Sequence, residues 1–150
     1  MTQLTLQRQS FGFVPADDET RKALAKVPIG SLVTREWRQP RNQAHHRLRF
    51  AWMADLYAAI EHLQLFGNAE LLRQHCTLQT EFINTVVDPR TGEVFRTPRS
   101  WSYESMDEEE FGRMVPQIRD YLLGDFLELC IERGKWDEHT IMHFQMVAYQ

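Results

Sequence analysis

The first third of the chain carries short segments in which apolar and polar positions alternate. Leucines alternate with polar residues over 3–8, which predicts a strand, and a second strand is predicted over 11–15. Asp17 is a suitable N-cap for a short helix over 18–26. The β-forming residues of 29–37 predict a further strand. This part of the chain is therefore expected to form a small antiparallel sheet with one helix.

Helical spacing of apolar residues dominates the middle of the chain. Two adjacent apolar stripes recur at three- and four-residue intervals between 48 and 63, which predicts a long helix. Asn42 caps its start and Gly67 ends it. A helix that is apolar over so much of its surface is a core helix or an oligomer seam. Asn68 is expected to cap the next helix.

The pattern returns to strands before it becomes helical again. Segments 82–87 and 93–95 are separated by the turn sequence Asp88-Pro89-Arg90-Thr91-Gly92, which predicts a hairpin. Residues 97–103 are expected to form a loop or an edge strand, because Pro98 cannot occupy a central strand.

The last third of the chain is predicted to be helical. Ser105-Met106-Asp107-Glu108 has the spacing of a capping box that begins a helix. Gly112 and Pro116 predict a kink in that helix, and further helical segments are predicted over 121–131 and 136–149. The chain is thus expected to be one α+β domain over 1–150, with a small N-terminal antiparallel sheet, a long central helix, a β-hairpin and a helical C-terminal part.

Composition is that of an ordinary globular protein, with 43% hydrophobic and 25% charged residues. No apolar run is long enough to cross a membrane, and the first residues lack the pattern of a signal peptide. Cys76 and Cys130 each lie in an apolar helical pattern, which fits neither a disulfide framework nor a zinc site. A cytoplasmic protein is the expectation.

Arginine is concentrated in one stretch of an otherwise acidic chain. The formal net charge is −4, yet residues 30–50 carry five arginines and one acid, Glu36. The stretch enters the start of the long helix, where free N–H groups and the helix dipole attract anions. Arginine binds phosphate with two hydrogen bonds, and an aromatic side chain can stack on a base. The candidate nucleic-acid-binding residues are Arg35, Trp37, Arg38, Arg41, Asn42, His45, His46, Arg47 and Arg49.

Other patterns have alternative explanations. The arginine stretch could instead be a solvated face that is paired with the acids at 107–110. His139 and His143 have a spacing that can bind zinc, and the acids at 107–110 could serve a nuclease, but each pattern is also ordinary on a helix. No phosphate-binding glycine loop or nucleophile elbow occurs in the sequence. The sequence therefore predicts no enzyme, no cofactor and no metal site.

Two segments carry a resemblance to a known family. The run Pro40-Arg41-Asn42-Gln43-Ala44-His45-His46-Arg47-Leu48-Arg49-Phe50-Ala51, which follows Gly30–Val33, resembles a family of small phage-encoded proteins. The later residues Arg99-Ser100-Trp101-Ser102 and Ser105-Met106-Asp107-Glu108-Glu109-Glu110-Phe111 fit the same family. More distantly, the layout is similar to the lambda Orf (NinB) recombination mediators, although His46 stands where an asparagine is usual.

The resemblance implies a homodimer that binds single-stranded DNA and works with the single-strand-binding protein of the host, without catalytic activity. It also implies that Arg41 and Arg47 contact phosphate. The leading hypothesis is therefore a non-enzymatic phage DNA-binding accessory protein. Two alternatives stay open: a metal-dependent nuclease that uses histidines and acids, and an interaction module that binds a host protein through its acidic helix.

Overall fold

The structure is a computed structural model and describes residues 3–34, 38–133 and 136–150. The chain divides into two compact units, Met1–Trp37 and Arg38–Gln150. The predicted α+β class is confirmed, because helices and two small antiparallel sheets occur in the same chain. The prediction of one domain over 1–150 stays a prediction.

The first unit is a hairpin followed by a short helix. Its elements are β1 (Leu6–Gln9), β2 (Gly12–Pro15) and α1 (Asp18–Ala25). The two strands pair antiparallel, as predicted. The Asp17 carboxylate accepts a 2.6 Å hydrogen bond from the Thr20 N–H, which confirms Asp17 as the N-cap. Thr20 also ties the helix to the chain before β1, because its hydroxyl accepts from the Thr5 N–H.

The strand predicted over 29–37 is wrong for its described part. Residues 29–34 form a turn and irregular chain, in which the Ser31 N–H donates to the Pro28 carbonyl and Gly30 has φ of +88°. The side chains of Ile29 and Leu32 are exposed to solvent. β-forming residues make a strand only where a neighbouring strand and a packed face receive them, and neither occurs for these residues in the described parts of the chain. Residues 35–37 lie outside the described residues.

The second unit contains most of the helices and the second hairpin. Its elements are α2 (Gln43–Ile60), α3 (Ala69–Leu78), β3 (Ile83–Val87), β4 (Val94–Pro98), α4 (Glu108–Tyr121), α5 (Leu127–Arg133) and α6 (Glu138–Ala148). A 3₁₀ turn, Glu61–Leu63, follows α2, and a π-helical turn, Leu122–Phe126, joins α4 to α5. Asn42 and Asn68 cap α2 and α3, as predicted.

The core of this unit lies between α2, α3, α4 and α6. The predicted central helix is confirmed, since α2 buries Trp52, Met53, Leu56 and Ile60. The indole N–H of the buried Trp52 donates to the Val147 carbonyl at 2.8 Å. Trp101, which lies in the loop before α4, is 1% exposed and donates to the Thr77 hydroxyl. The loop after β4 is thereby fixed against the helices.

The start of α4 differs from the sequence prediction by two residues. The capping box is formed by Asp107 and Glu110, not by Ser105 and Glu108. The two pairs have the same spacing, so the sequence pattern alone cannot distinguish them. The carbonyl of Ser105 instead accepts from the Arg99 guanidinium. The shift leaves the Glu108 carboxylate free to contact another element.

The predicted kink near Gly112 and Pro116 is also displaced. Both residues lie on the exposed side of a continuous α4, where water can satisfy the Gly112 carbonyl that Pro116 leaves without a donor. The irregular turn comes later, at Gly124, with φ of −100° and ψ of −106°.

Apolar side chains stay exposed on the β3–β4 hairpin and on α6. The outer half of the β3–β4 hairpin presents Val86 and Phe95 on one face and Val87 and Val94 on the other. Helix α6 presents an exposed apolar stripe: Met142, Met146 and Tyr149. No helix within the described ranges is long and apolar enough to span a membrane.

Candidate nucleic-acid interface

The predicted nucleic-acid-binding residues occupy three different environments. Arg41 is buried, Asn42, His45 and Arg49 belong to a polar network at the start of α2, and Arg38 and Arg47 are exposed. Arg35 and Trp37 lie outside the described residues. The expected continuous arginine face is therefore not present among the residues that the structure describes.

Arg41 is an internal residue of the second unit. Its side chain is 1% exposed, and its guanidinium carbon lies 3.5 Å from the centre of the Phe111 ring. One guanidinium nitrogen donates to the Trp101 carbonyl at 2.9 Å, and the other terminal nitrogen lies 2.6 Å from Nδ1 of His46. Burial lowers the pKa of Arg41, which the nearby Glu108 carboxylate partly offsets. Arg41 thus holds the Trp101 loop and has no exposed face for phosphate.

Glu108 occupies the anion-binding position at the start of α2. Its carboxylate accepts from the backbone N–H of Asn42 at 2.8 Å and from Nδ1 of His45 at 2.5 Å. Burial raises the pKa of Glu108, but the hydrogen bonds from Asn42 and His45 outweigh it and the pKa lies below its usual value. The sequence predicted a bound phosphate at this helix start, whereas the anion found there is the protein's own Glu108 carboxylate.

The network extends from Glu108 through His45 to Arg49. The Arg49 Nε–H donates to Nε2 of His45 at 3.3 Å, so Nδ1 of His45 carries the hydrogen that bonds Glu108. Burial lowers the pKa of Arg49, and the neighbouring Arg119 lowers it further. Both nitrogens of His45 are therefore used internally. The alternative prediction was a solvated face paired with the acids at 107–110. Arg41 Nε does lie 3.8 Å from the Glu108 carboxylate, but the Arg41 side chain is 1% exposed, so this pair is internal and not part of a solvated face.

A surface of stacked rings lies beside this network. The His46 ring stacks on Tyr103 at a centroid distance of 4.6 Å, and Phe50 lies 4.6 Å from its centre at a tilt of 34°. Tyr103 is 45% exposed and Phe50 is 38% exposed. We call the residues Arg38, His46, Arg47, Phe50 and Tyr103 the aromatic surface.

Two exposed arginines flank these rings. Arg38 donates to the backbone carbonyls of Tyr103 and Glu104 at 3.1 and 2.7 Å, which fixes its guanidinium at the edge of the Tyr103 loop. Arg47 lies one helical turn before Phe50 and forms no ion pair with the described residues. Neither arginine is paired with an acid in the described ranges, so both keep charge available to a ligand.

Sequence reasoning did not select Phe50 and Tyr103. Phe50 was part of an apolar helical stripe, and Tyr103 was part of a loop. The spacing of His46 and Phe50 at i and i+4 was a usable signal, because such residues are neighbours on a helix. The contact between His46 and Tyr103 links residues 57 positions apart in the chain, and no local pattern reveals it.

The acidic cluster has internal roles. Asp107 and Glu110 form the capping box, Glu110 also contacts Arg99, and Glu109 lies 3.6 Å from Arg113. His139 and His143 are exposed on α6. Within the described residues, no three His, Cys, Asp or Glu side chains come together as metal ligands would.

The two cysteines are buried thiols. Burial raises the pKa of Cys76 to about 12 and that of Cys130 to about 11. Both thiols are therefore protonated at neutral pH, and a thiol is a much weaker nucleophile than a thiolate.

Comparison of the chain with protein-family models, curated proteins and solved structures finds no significant match. The resemblance to phage proteins consequently stays a prediction, and the geometry of the aromatic surface carries the functional interpretation.

Proposed function

We propose that the protein binds single-stranded DNA at the aromatic surface and that it does so without catalysis. One observation carries the proposal: two exposed rings, Phe50 and Tyr103, enclose His46, and the arginines that flank them have no acidic partner among the described residues. Proteins that bind single strands combine rings for base stacking with cations that follow the backbone.

The rings favour single strands over duplex DNA. A base can stack on a protein ring only when it has left its own helical stack, which single strands allow at low cost. Duplex recognition would instead need a helix or ribbon with base-reading side chains that can enter a groove. The surface exposes part of Phe50 on α2 and part of Tyr103 in the loop after β4, and rings that are accessible in this way fit unpaired bases.

The salt dependence of binding should be modest. Five exposed arginines would give a slope of log affinity against log salt of roughly −3 to −4 on single strands. Because Arg41 is buried and Arg49 is part of the internal network, Arg38 and Arg47 are the phosphate contacts that the described residues support, and the slope should be roughly −1 to −2. Arg35 and Trp37 stay predicted contacts outside the described residues.

The direct test is fluorescence anisotropy of a labelled oligothymidine with Tyr103→Ala and Arg47→Glu. Loss of one stacked base costs about 1–3 kcal/mol, so Tyr103→Ala should weaken binding by roughly 5- to 150-fold. Phe95→Ala and Arg96→Glu are matched controls, because they change an exposed ring and an exposed arginine on β4. Equal loss in the β4 variants, or no binding by the wild-type protein, would remove the proposal.

The resemblance to phage recombination mediators suggests where DNA binding by this protein would be used. We propose that the protein acts in the host cytoplasm on single strands that a single-strand-binding protein also covers. This protein should then bind a labelled single strand that is coated with single-strand-binding protein more tightly than it binds duplex DNA of the same length. Native gel shifts measure the difference.

A further inference from the structure

We propose that His46 is a hydrogen-bond donor of the aromatic surface to the bound strand: Arg41 holds it as the neutral tautomer with hydrogen on Nε2, and this N–H donates to an acceptor atom of the strand. The inference rests on the proposed function for the identity of the ligand. The assignment of the tautomer rests only on the geometry around Arg41.

The tautomer follows from the hydrogen-bond chemistry of Arg41. A guanidinium has donors only and stays protonated in proteins. Its terminal nitrogen lies 2.6 Å from Nδ1 of His46, so Nδ1 must offer a lone pair. A neutral imidazole with a lone pair on Nδ1 carries its hydrogen on Nε2.

Arg41 cannot easily move to release this constraint. Its side chain is 1% exposed, and it is fixed by the Trp101 carbonyl and by the Phe111 ring. The guanidinium therefore acts as a permanent donor against one side of the His46 ring. Proton uptake at Nδ1 would place two donors against each other in a buried site.

The rings of Tyr103 and Phe50 fix the direction of the Nε2–H bond of His46. Stacking on Tyr103 and contact with Phe50 fix the plane of the His46 ring. Nε2 has no hydrogen-bond partner within the described parts of the chain, and it is not among their fully buried unpartnered atoms, so part of its surface is accessible. A fixed N–H at the rim of a stacking surface is placed to read an acceptor on a stacked nucleotide.

The neighbouring histidine shows the contrast. His45 carries its hydrogen on Nδ1 and uses both nitrogens, with Glu108 and with Arg49. The two adjacent histidines thus have opposite tautomers, because Nδ1 of His46 accepts from Arg41 whereas Nδ1 of His45 donates to Glu108. Of these two histidines, only His46 keeps a ring N–H without a partner among the described residues.

The charges around His46 keep it neutral. Arg41 is the cation that faces the ring, Tyr103 and Phe50 cover its faces, and the Glu108 carboxylate is engaged by Arg41, Asn42 and His45. Burial lowers the pKa of His46, and Arg41 lowers it further. His46 therefore contributes a directional hydrogen bond to the site and not a positive charge.

The tautomer is tested by ¹⁵N NMR of the imidazole nitrogens in the unbound wild-type protein. The expected result is a protonated Nε2 and an unprotonated Nδ1 for His46, with a titration midpoint below about 6.5, the ordinary histidine value. A hydrogen on Nδ1, or a midpoint at or above that value, overturns the assignment. This result does not depend on DNA binding.

The ligand contact is tested with two substitutions. His46→Phe keeps a ring and removes the donor, whereas His46→Asn keeps an acceptor for Arg41 and removes the Nε2 hydrogen. Both should weaken oligothymidine binding by roughly 2- to 12-fold, the effect of one net hydrogen bond, and His139→Phe on α6 is the matched control. Wild-type affinity should not rise between pH 8 and 6.5, because no charge is gained.

Binding to an abasic strand of the same length distinguishes an acceptor atom on a base from an acceptor oxygen on a phosphate. If the acceptor is on a base, wild type and His46→Asn bind the abasic strand equally; if it is a phosphate oxygen, the variant is weaker on both strands. Variants that bind oligothymidine as wild type does, while Tyr103→Ala is weak, overturn the inference and leave the proposed function standing. A wild-type protein that binds neither strand overturns the proposed function and the ligand contact together.

Discussion

At the residue scale, Arg41 shows how a charged residue in a basic stretch can be structural. Its guanidinium joins the Trp101 loop, the His46 ring and Glu108 within a few ångströms. A charge run usually marks a solvated face, and nothing in the local sequence distinguishes Arg41 from the exposed Arg47. The difference arises from Phe111 and Trp101, which are 60 or more positions away in the chain. Sequence reasoning identified the cluster correctly as unusual but could not tell its buried members from its exposed ones.

Replacement of Arg41 should therefore lower the stability of the fold, and it should do so more than replacement of the exposed Arg47. Arg41→Gln removes the contact with the Phe111 ring and part of the pairing with Trp101, His46 and Glu108, which should lower the free energy of unfolding by about 2–4 kcal/mol. Urea denaturation measures the change. Arg47→Gln, at an exposed position, should change it by less than about 0.5 kcal/mol. Equal effects of the two variants would show that Arg41 is not the internal anchor described above.

Stability should also fall as the solution is acidified from pH 7 to pH 5. Burial lowers the pKa of His46 and that of His75 in the folded protein, whereas unfolded histidine titrates near about 6.5. Below that value the unfolded chain binds protons that the folded protein binds only at lower pH, so the unfolded state is favoured. Stability from these groups is complete above about pH 6.5 and is lost as pH falls through the folded pKa values.

Denaturant midpoints at pH 7.5, 6.5 and 5.5 measure this dependence. His46→Asn should show a shallower fall than wild type, and His139→Asn should follow wild type. A midpoint that stays constant or rises on acidification would contradict the expected sign. The pKa values of Glu70, Glu108 and Glu110 are lowered, and these acids affect stability only at still lower pH.

At the element scale, the start of α2 depends on a residue of another helix. Asn42 satisfies the N–H of His45, and Glu108 at the start of α4 satisfies the N–H of Asn42. The backbone N–H of Glu108 in turn donates to the Gln39 carbonyl at 3.0 Å. The two helix starts therefore stabilise each other, which is why α2 needs no acid in its own first turn.

Neighbouring glutamates provide a matched test of this arrangement. Glu108→Gln leaves one acceptor oxygen for two donors, Asn42 N–H and His45, and should lower the free energy of unfolding by about 1–3 kcal/mol. Glu109→Gln weakens only a surface contact with Arg113 and should cost less than about 0.5 kcal/mol. Thermal unfolding followed by circular dichroism compares them, and the arrangement would be refuted by equal melting temperatures.

Element starts were predictable where the signal is local. Asp17, Asn42 and Asn68 were identified as caps because an N-cap bonds the backbone two or three residues later. The strand over 29–37 failed since a strand needs a partner, and that requirement cannot be read from β-forming residues alone. The capping box moved to Asp107 because consecutive acids offer more than one residue pair with the same spacing.

At the scale of the whole molecule, the α+β class was predictable because helical and alternating patterns occupy separate segments. The arrangement of the aromatic surface was not, since it depends on how the loop after β4 packs against α2. The predicted homodimer stays a prediction. An exposed apolar stripe on α6, made of Met142, Met146 and Tyr149, is the surface at which we expect two copies to pair.

Met146→Glu should convert the expected dimer into a monomer, because it places a charge in the centre of that stripe. Multi-angle light scattering at micromolar concentration measures the mass. Val87→Glu on the hairpin adds the same charge to another exposed apolar position and should leave the dimer intact. A wild-type protein that is already monomeric would exclude the dimer, and a loss of dimer only with Val87→Glu would move the seam to the hairpin.

The β3–β4 hairpin has a practical consequence for work with the purified protein. It is a two-stranded sheet whose outer half exposes apolar residues on both faces. Such ribbons have unpaired edges that recruit further strands. We therefore expect the hairpin to promote precipitation at high protein concentration, and Val87→Lys, at an exposed position on it, to raise the concentration that stays in solution.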